Sequence, residues 1–105
     1  MNKKRESTML GLEITAYAGE ARSYILEALD EAKNKKFDNT LNLLKSAEDL
    51  IIKAHRAQSD MLFAEANENY SDVTFTMVHG QDHLMTTILL KELALNIIEL
   101  WKQEK

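Results

Sequence analysis

The chain has 105 residues with no cysteine and no proline, and its formal net charge at pH 7 is -4. This length suits one domain over residues 1–105, and the lack of cysteine excludes disulfides. No signal peptide and no apolar run near the roughly 20 residues of a membrane span are evident, so we expect a cytoplasmic protein without membrane insertion. Basic residues are interspersed with acidic ones, which argues against nucleic-acid binding.

The composition favours helices, because three glycines and no proline leave few helix breakers. We therefore predict an all-α fold. The first helix is predicted from Ser7 to Lys33. Its apolar face contains residues at steps of three and four, namely Ile14, Ala18, Ala21, Ile25, Leu29 and Ala32.

A second helix is predicted from Asn39 to Ala66, after a short turn. Asp38 or Asn39 is the expected N-cap, since either side chain can accept a hydrogen bond from a free backbone N–H group. The predicted apolar stripe of this helix consists of Leu41, Leu44, Ile51, Ala54, Met61 and Leu62.

A third helix is predicted from Val73 to Lys102, after a polar loop over residues 67–72 in which Ser71 or Asp72 is the expected N-cap. A step of about 100° per residue gives this helix two apolar stripes. The first stripe consists of Leu84, Ile88, Leu95 and Ile98, and the second of Met85, Leu89, Leu93, Ile97 and Leu100. Three such helices suit an antiparallel three-helix bundle.

The second stripe of the third helix predicts an oligomer. A helix in an isolated three-helix bundle needs one apolar stripe, and leaving the other wet costs about 1.5 to 3 kcal/mol per large side chain relative to burial. Asp82 lies in the angular sector of this stripe, and His79 lies about 60° to one side at ~100° per residue. Copies of Asp82 gathered in a subunit seam would need pairing, protonation or a cation.

Two of the three histidines, His79 and His83, stand in the short polar segment HGQDH at residues 79–83. Without cysteine, nucleophilic chemistry at neutral pH falls first to an imidazole. The i, i+4 spacing of these histidines also suits two zinc ligands, although the sequence identifies no further ligands. A third interpretation is a polar turn near the N-terminus of the helix with hydrogen-bonded histidines.

Gly80 stands inside this segment. Glycine in a helix costs roughly 1 kcal/mol relative to alanine, so its presence indicates a close approach to the backbone. Two explanations stay open: a partner or a phosphoryl group approaches His79, or the glycine serves a helix kink or a tight helix contact.

The segment at residues 77–87, MVHGQDHLMTT, closely resembles the signature of the IIA proteins of the lactose/cellobiose phosphotransferase family. Three upstream segments resemble the same family: GLEI at residues 11–14, AYAGEARS at 16–23 and AHRAQ at 54–58. The resemblance therefore extends over nearly the whole chain at matching spacing.

The resemblance implies a homotrimer of three-helix subunits, with His79 as the phosphorylated histidine and Asp82 as the ligand of a divalent metal shared by the three subunits. An oxygen-only site favours Mg²⁺. The implied partners are phospho-HPr, which donates the phosphoryl group, and a IIB component, whose cysteine accepts it during uptake of a β-linked disaccharide such as lactose, cellobiose or chitobiose.

Several other residues are candidates for this site or its surroundings. Gln81 and His83 are possible hydrogen-bond donors to the phosphoryl group, and ordinary hydrogen bonding is the alternative for both. His55 is a further candidate for the site, and the alternative is an ordinary polar residue of the second helix. Partner docking is considered for the apolar Met77 and Val78, which also suit the core, and for Glu13, Glu20 and Arg22, which also suit a solvated face.

Two other functions stay open at this point. A helical adaptor without phosphotransfer would explain the amphipathic helices, and it would bind a partner irrespective of His79. A His/Asp metalloenzyme would bind a transition metal with an open coordination position.

Overall fold

The computed structural model describes residues 2–69 and 72–104. It consists of three α-helices, α1 (Lys3–Lys33), α2 (Phe37–Ala66) and α3 (Phe75–Gln103). The described residues contain no strand, which confirms the all-α prediction. The helices form an elongated bundle with extents of 56 × 21 × 18 Å.

Helix α1 begins four residues earlier than predicted. Asn2 is its N-cap, and the Asn2 side chain accepts hydrogen bonds from the backbone N–H groups of Lys4, at 2.8 Å, and Arg5, at 3.3 Å. This cap satisfies two of the N–H groups that a helix leaves free at its first turn. The segment at residues 3–5, which precedes the predicted start, is therefore helical.

Helix α1 is the central element, and both other helices pack mainly against it. Its buried residues recur at alternating steps of four and three, as in a coiled coil. They are Ser7, Gly11, Ile14, Ala18, Ala21, Ile25, Ala28 and Ala32. Most of these side chains are small, so the backbones of α2 and α3 can approach α1 closely.

Helices α1 and α3 run in the same direction, with α2 antiparallel to both. Ser7 and Thr74 share a hydrogen bond near one end of the pair, Thr87 donates to the Ala18 carbonyl further along, and Lys35 donates to the Trp101 carbonyl at the other end. The predicted antiparallel three-helix arrangement is therefore present in the single chain.

The turns after α1 and α2 share one geometry. Lys35 has φ 64° and Glu68 has φ 61°, so each stands in the left-handed region just after a helix end. The next N–H group in each case bonds back to a carbonyl five residues earlier: Lys36 to Glu31 at 2.9 Å, and Asn69 to Ala64 at 2.8 Å. Both ends are Schellman motifs formed without glycine.

Both N-cap predictions for α2 and α3 are wrong. Helix α2 begins at Phe37 after Lys36, which makes no side-chain cap, so Asp38 and Asn39 already lie inside the first turn. Helix α3 is capped by Thr74, whose hydroxyl accepts a hydrogen bond from the Met77 N–H group at 3.1 Å. Asp72 precedes this cap, and Ser71 lies outside the described residues.

The predicted apolar faces are confirmed in part. Ile51 and Ala54 are buried in α2, as Leu84 and Ile98 are in α3. Three residues of the predicted stripes are exposed instead, namely Leu41, Leu62 and Leu95. Four positions outside the predicted stripes are buried, namely Thr40, Ala47, Thr87 and Ala94. The helices are close together at these positions, so small side chains occupy the interface and some leucines remain outside.

The second stripe of α3 is exposed along its whole length. We call it the outer face of α3, defined by Met85, Leu89, Leu93, Ile97 and Leu100, which are between 38% and 65% exposed. None of the helices in the described ranges has the combined length and apolar character that a bilayer crossing requires. The single domain and the cytoplasmic location stay predictions.

Candidate functional site

The candidate site stands on the second turn of α3 and the start of the third, at residues 79–83. Two buried residues flank it, Met77 before and Leu84 after, and both belong to one core cluster with Ile14 of α1 and Ala54 of α2. This cluster fixes the turn that carries the exposed His79. Met77 is buried in the single chain, so the docking role considered for it is wrong. Val78 is exposed and stays a candidate for partner docking.

At Gly80 the backbone of α3 packs directly against the backbone of α1 at Gly11. A methyl group added at Gly80 would lie 2.7 Å from the carbonyl oxygen of Gly11, and one added at Gly11 would lie 2.6 Å from the carbonyl oxygen of Thr76. Gly80 is itself buried. Of the two explanations left open by the sequence, the tight helix contact therefore accounts for this glycine.

His79 and His83 lie against each other on successive turns. Their ring centroids are 4.4 Å apart and the rings are nearly perpendicular, at 71°. Burial, the neighbouring His79 and the Arg22 guanidinium lower the pKa of His83 below its ordinary value, and Asp82 opposes this shift. The Nδ1 atom of His83 is buried and has no hydrogen-bond partner among the described residues.

Arg22 of α1 binds α3 directly beside this pair, where the sequence favoured a solvated face. Its Nη2 atom donates to the His83 carbonyl at 3.3 Å and to the hydroxyl oxygens of Thr86 at 2.6 Å and Thr87 at 3.3 Å. The Thr86 hydroxyl in turn donates to the Asp82 carbonyl at 2.7 Å. Glu13 and Glu20 are exposed, as a solvated face requires.

Gln81 faces helix α2. Its side-chain oxygen accepts a hydrogen bond from Nε2 of Gln58, and its own Nε2 donates to the Met77 sulfur at 3.6 Å. Sequence reasoning assigned no role to Gln58, although it stands in the quoted segment at residues 54–58. His55 is exposed and lines a separate groove between α2 and α3 with Ile88 and Lys91.

Asp82 is exposed on the same side of α3 as the outer face. The described residues of one chain contain no cluster of three or more His, Asp or Glu side chains able to hold a metal ion. One chain therefore contributes a single carboxylate at this position. A carboxylate oxygen is a hard ligand that suits Mg²⁺, so the residue fits such an ion only where several copies converge.

The model of the family "PTS system, Lactose/Cellobiose specific IIA subunit" matches residues 9–102. A relative from Streptococcus mutans, a "PTS system lactose-specific EIIA component", is 50% identical over 103 residues, which is 98% of each chain. The chain belongs to this family.

Two solved structures of IIA proteins resemble this IIA chain. The cellobiose-specific enzyme IIA from Bacillus anthracis has a TM-score of 0.88 at 32% identity and covers 92% of this chain and 89% of its own. The chitobiose IIA of Escherichia coli, solved in complex with HPr, has a TM-score of 0.79 at 29% identity, with coverages of 92% and 94%. The IIA chain is a component of a sugar phosphotransferase system, and the family resemblance read from residues 77–87 is confirmed.

Proposed function

We propose that this IIA chain carries a phosphoryl group on His79, accepting it from phospho-HPr and passing it to a cysteine of a IIB component. The observation that carries the proposal is the position of His79, exposed on a turn that Met77 and Leu84 anchor in the core, in a chain of the IIA family. An exposed and fixed imidazole suits transfer between proteins, because each partner must reach the same nitrogen.

The transfer requires an unprotonated ring nitrogen on His79, which we assign as Nε2. Its lone pair forms the new N–P bond while the N–P bond of the donor phosphohistidine breaks and the donor ring keeps that electron pair. The His79 ring loses one proton and the donor ring gains one, so charge and protons balance. The transition state is loose, so positioning and nearby hydrogen-bond donors supply most of the catalysis.

His83 and Gln81 remain the proposed donors to the phosphoryl oxygens, and their surroundings differ. The His83 ring lies against His79, so it is the more direct candidate. The Gln81 amide bonds to Gln58 and Met77, so it would have to leave these contacts before it could donate.

The proposed partners follow from the relatives. The Escherichia coli relative was solved with HPr, which supports phospho-HPr as the donor here. The curated relative from Streptococcus mutans is lactose-specific, and the structural relatives are named for cellobiose and chitobiose. We accordingly propose that the complete transporter imports a β-linked disaccharide of this group, with the sugar bound by its membrane component.

We further propose that the chain assembles as a homotrimer through the outer face of α3. Burying exposed leucines in a seam contributes about 1.5 to 3 kcal/mol for each large side chain. Because Asp82 shares this side of α3, three Asp82 carboxylates would converge there. We propose that they hold one divalent cation, with Mg²⁺ preferred, which would neutralise the gathered negative charge.

The carrier role predicts that one phosphoryl group appears on His79. The purified chain would be incubated with phosphoenolpyruvate, enzyme I and HPr, followed by intact-mass measurement and mapping of the acid-labile phosphate. The wild type and the control His55→Gln are expected to gain one group per chain and His79→Gln none, because only His79 is the acceptor. Labelling retained in His79→Gln would exclude this residue, and an unlabelled wild type would leave the helical adaptor.

The metal proposal predicts the behaviour of Asp82→Leu in metal-free buffer. The variant should be more stable than the wild type by about 1 to 4 kcal/mol, because an apolar residue replaces a clustered charge in the seam. Thermal melting of both proteins with and without added Mg²⁺ measures the difference in stability. We expect this difference to be smaller when Mg²⁺ is present. Asp49→Leu, at an exposed position of α2, is the control and should not show it. A lower melting temperature for Asp82→Leu in metal-free buffer would contradict the proposal.

A further inference from the structure

The site has an unbalanced charge once His79 is phosphorylated. Residues 77–87 include Asp82 and two histidines but no lysine or arginine. A phosphoryl group adds about 1.5 to 2 negative charges on the same turns as this carboxylate. Like charges at close range disfavour each other, so a cation beside these turns would favour the phosphorylated form. Residues 77–87 supply no lysine or arginine for this, and the proposed Mg²⁺ is assigned to the Asp82 carboxylates, so a side-chain cation beside His79 has to come from another helix.

Helix α1 supplies this cation in Arg22. The half-buried Arg22 side chain is held against α3, because its Nη2 atom bonds to the His83 carbonyl and to the Thr86 and Thr87 hydroxyls. An arginine side chain has several rotatable bonds, and holding it in one place carries an entropic cost. Three acceptors on one helix offset that cost and fix the charge relative to α3.

The contacts of Arg22 lead to the backbone carbonyls of Asp82 and His83, in the turn that follows His79. Through the Thr86 hydroxyl it is linked to the Asp82 carbonyl. Through the His83 carbonyl it is linked to the residue whose ring lies 4.4 Å from that of His79.

We infer that Arg22 is a positioning residue for phosphotransfer: bonded to His83, Thr86 and Thr87, it holds the turns of α3 beside His79 and offsets the negative charge that phosphorylation adds there. This inference rests on the proposed role of His79. Arg22 itself is not the acceptor, and it acts through α3 and through its charge. A simple tether between α1 and α3 would use the same hydrogen bonds, but it would not require a positive charge.

The test compares Arg22→Met, which keeps most of the apolar stem, with Arg22→Lys, which keeps the charge. The rate of phosphoryl uptake from phospho-HPr and the melting temperature would be measured for both variants at low and high salt. Lys33→Met, an exposed position in the last turn of α1, is the matched control for the change in net charge.

We expect Arg22→Met to take up phosphate about tenfold more slowly than the wild type, which corresponds to about 1.4 kcal/mol at the transition state. Arg22→Lys should recover most of this rate at low salt and lose part of it at high salt, because a lysine bonded less firmly is more readily screened. Lys33→Met should match the wild type.

Two results would overturn the inference. If Arg22→Lys and Arg22→Met are equally slow, or if their rates follow only their melting temperatures, Arg22 is a tether whose charge is not used. If both take up phosphate as fast as the wild type, Arg22 has no part in the transfer. A wild type that takes up no phosphate would instead overturn the proposed function of His79, and this inference with it.

Discussion

Gly80→Ala is expected to lower the melting temperature by about 10 °C. The added methyl group would lie 2.7 Å from the Gly11 carbonyl oxygen, and this contact is with backbone, so no side-chain rotation can relieve it. Helices α1 and α3 must therefore separate. Overpacking of this kind costs about 1 to 3 kcal/mol, and each kcal/mol shifts the melting temperature of a domain this size by about 4 to 8 °C.

The control for this variant is Gly19→Ala. Gly19 also stands inside a helix, but a methyl group there would have no neighbour within 4 Å. Alanine favours helix by roughly 0.5 to 1 kcal/mol over glycine, so this variant should melt a few degrees higher than the wild type. Gly11→Ala should behave like Gly80→Ala. If Gly80→Ala and Gly19→Ala both raise the melting temperature, the close contact between α1 and α3 is absent in solution.

The variant should also show whether the contact positions His79. Gly80 is adjacent to His79, so a separation of the helices would move the turn that carries the proposed acceptor ring. We expect phosphate uptake by Gly80→Ala, measured well below its melting temperature, to be slower than that of Gly19→Ala. Equal rates would mean that the position of this turn does not depend on the contact with α1.

Leu89→Lys is expected to convert the proposed trimer into monomers. Leu89 lies in the middle of the outer face of α3 and is 54% exposed in the single chain. In a seam, each copy would contribute about 1.5 to 3 kcal/mol by burial, and three lysines placed there would add mutual repulsion. Sedimentation velocity over a range of protein concentrations would measure the change.

Leu41→Lys is the matched control, because Leu41 is 58% exposed but lies on α2, outside this face. It should sediment as the wild type does. If the wild type is a monomer at micromolar concentration, the homotrimer is wrong. If Leu41→Lys dissociates the assembly and Leu89→Lys does not, the subunits associate through α2 instead of α3.

Local patterns in the sequence were enough to predict the three helices and to propose the residues of the site. The spacing of Ile14, Ala18 and Ile25 defines the buried side of α1, because a helical repeat is a local property of the chain. The same repeat predicted the exposed outer face of α3. The segment at residues 77–87 identified the family, since side-chain types at fixed local spacing need no knowledge of distant contacts.

Helix starts were less accessible to sequence reasoning than the ends of α1 and α2, which stand at Lys33 and Ala66 as predicted. The geometry of the turns after these ends was not evident, because Lys35 and Glu68 adopt a left-handed conformation that glycine or asparagine usually marks. Thr74 caps α3 in place of Asp72, because Thr74 stands directly before the first turn and its hydroxyl accepts a hydrogen bond from the Met77 N–H group. The choice among neighbouring polar residues depends on where the chain enters the helix.

The surroundings of His79 depend on how the three helices pack together. Gly80 packs against Gly11, and Gln81 accepts a hydrogen bond from Gln58. The positive charge beside His83 belongs to Arg22. The partners in the last pair are 61 residues apart in the chain. Their contact depends on how closely the small residues of α1 let α3 approach and on how the two helices are rotated. Neither quantity follows from the local repeat of one helix, because packing between helices fixes both.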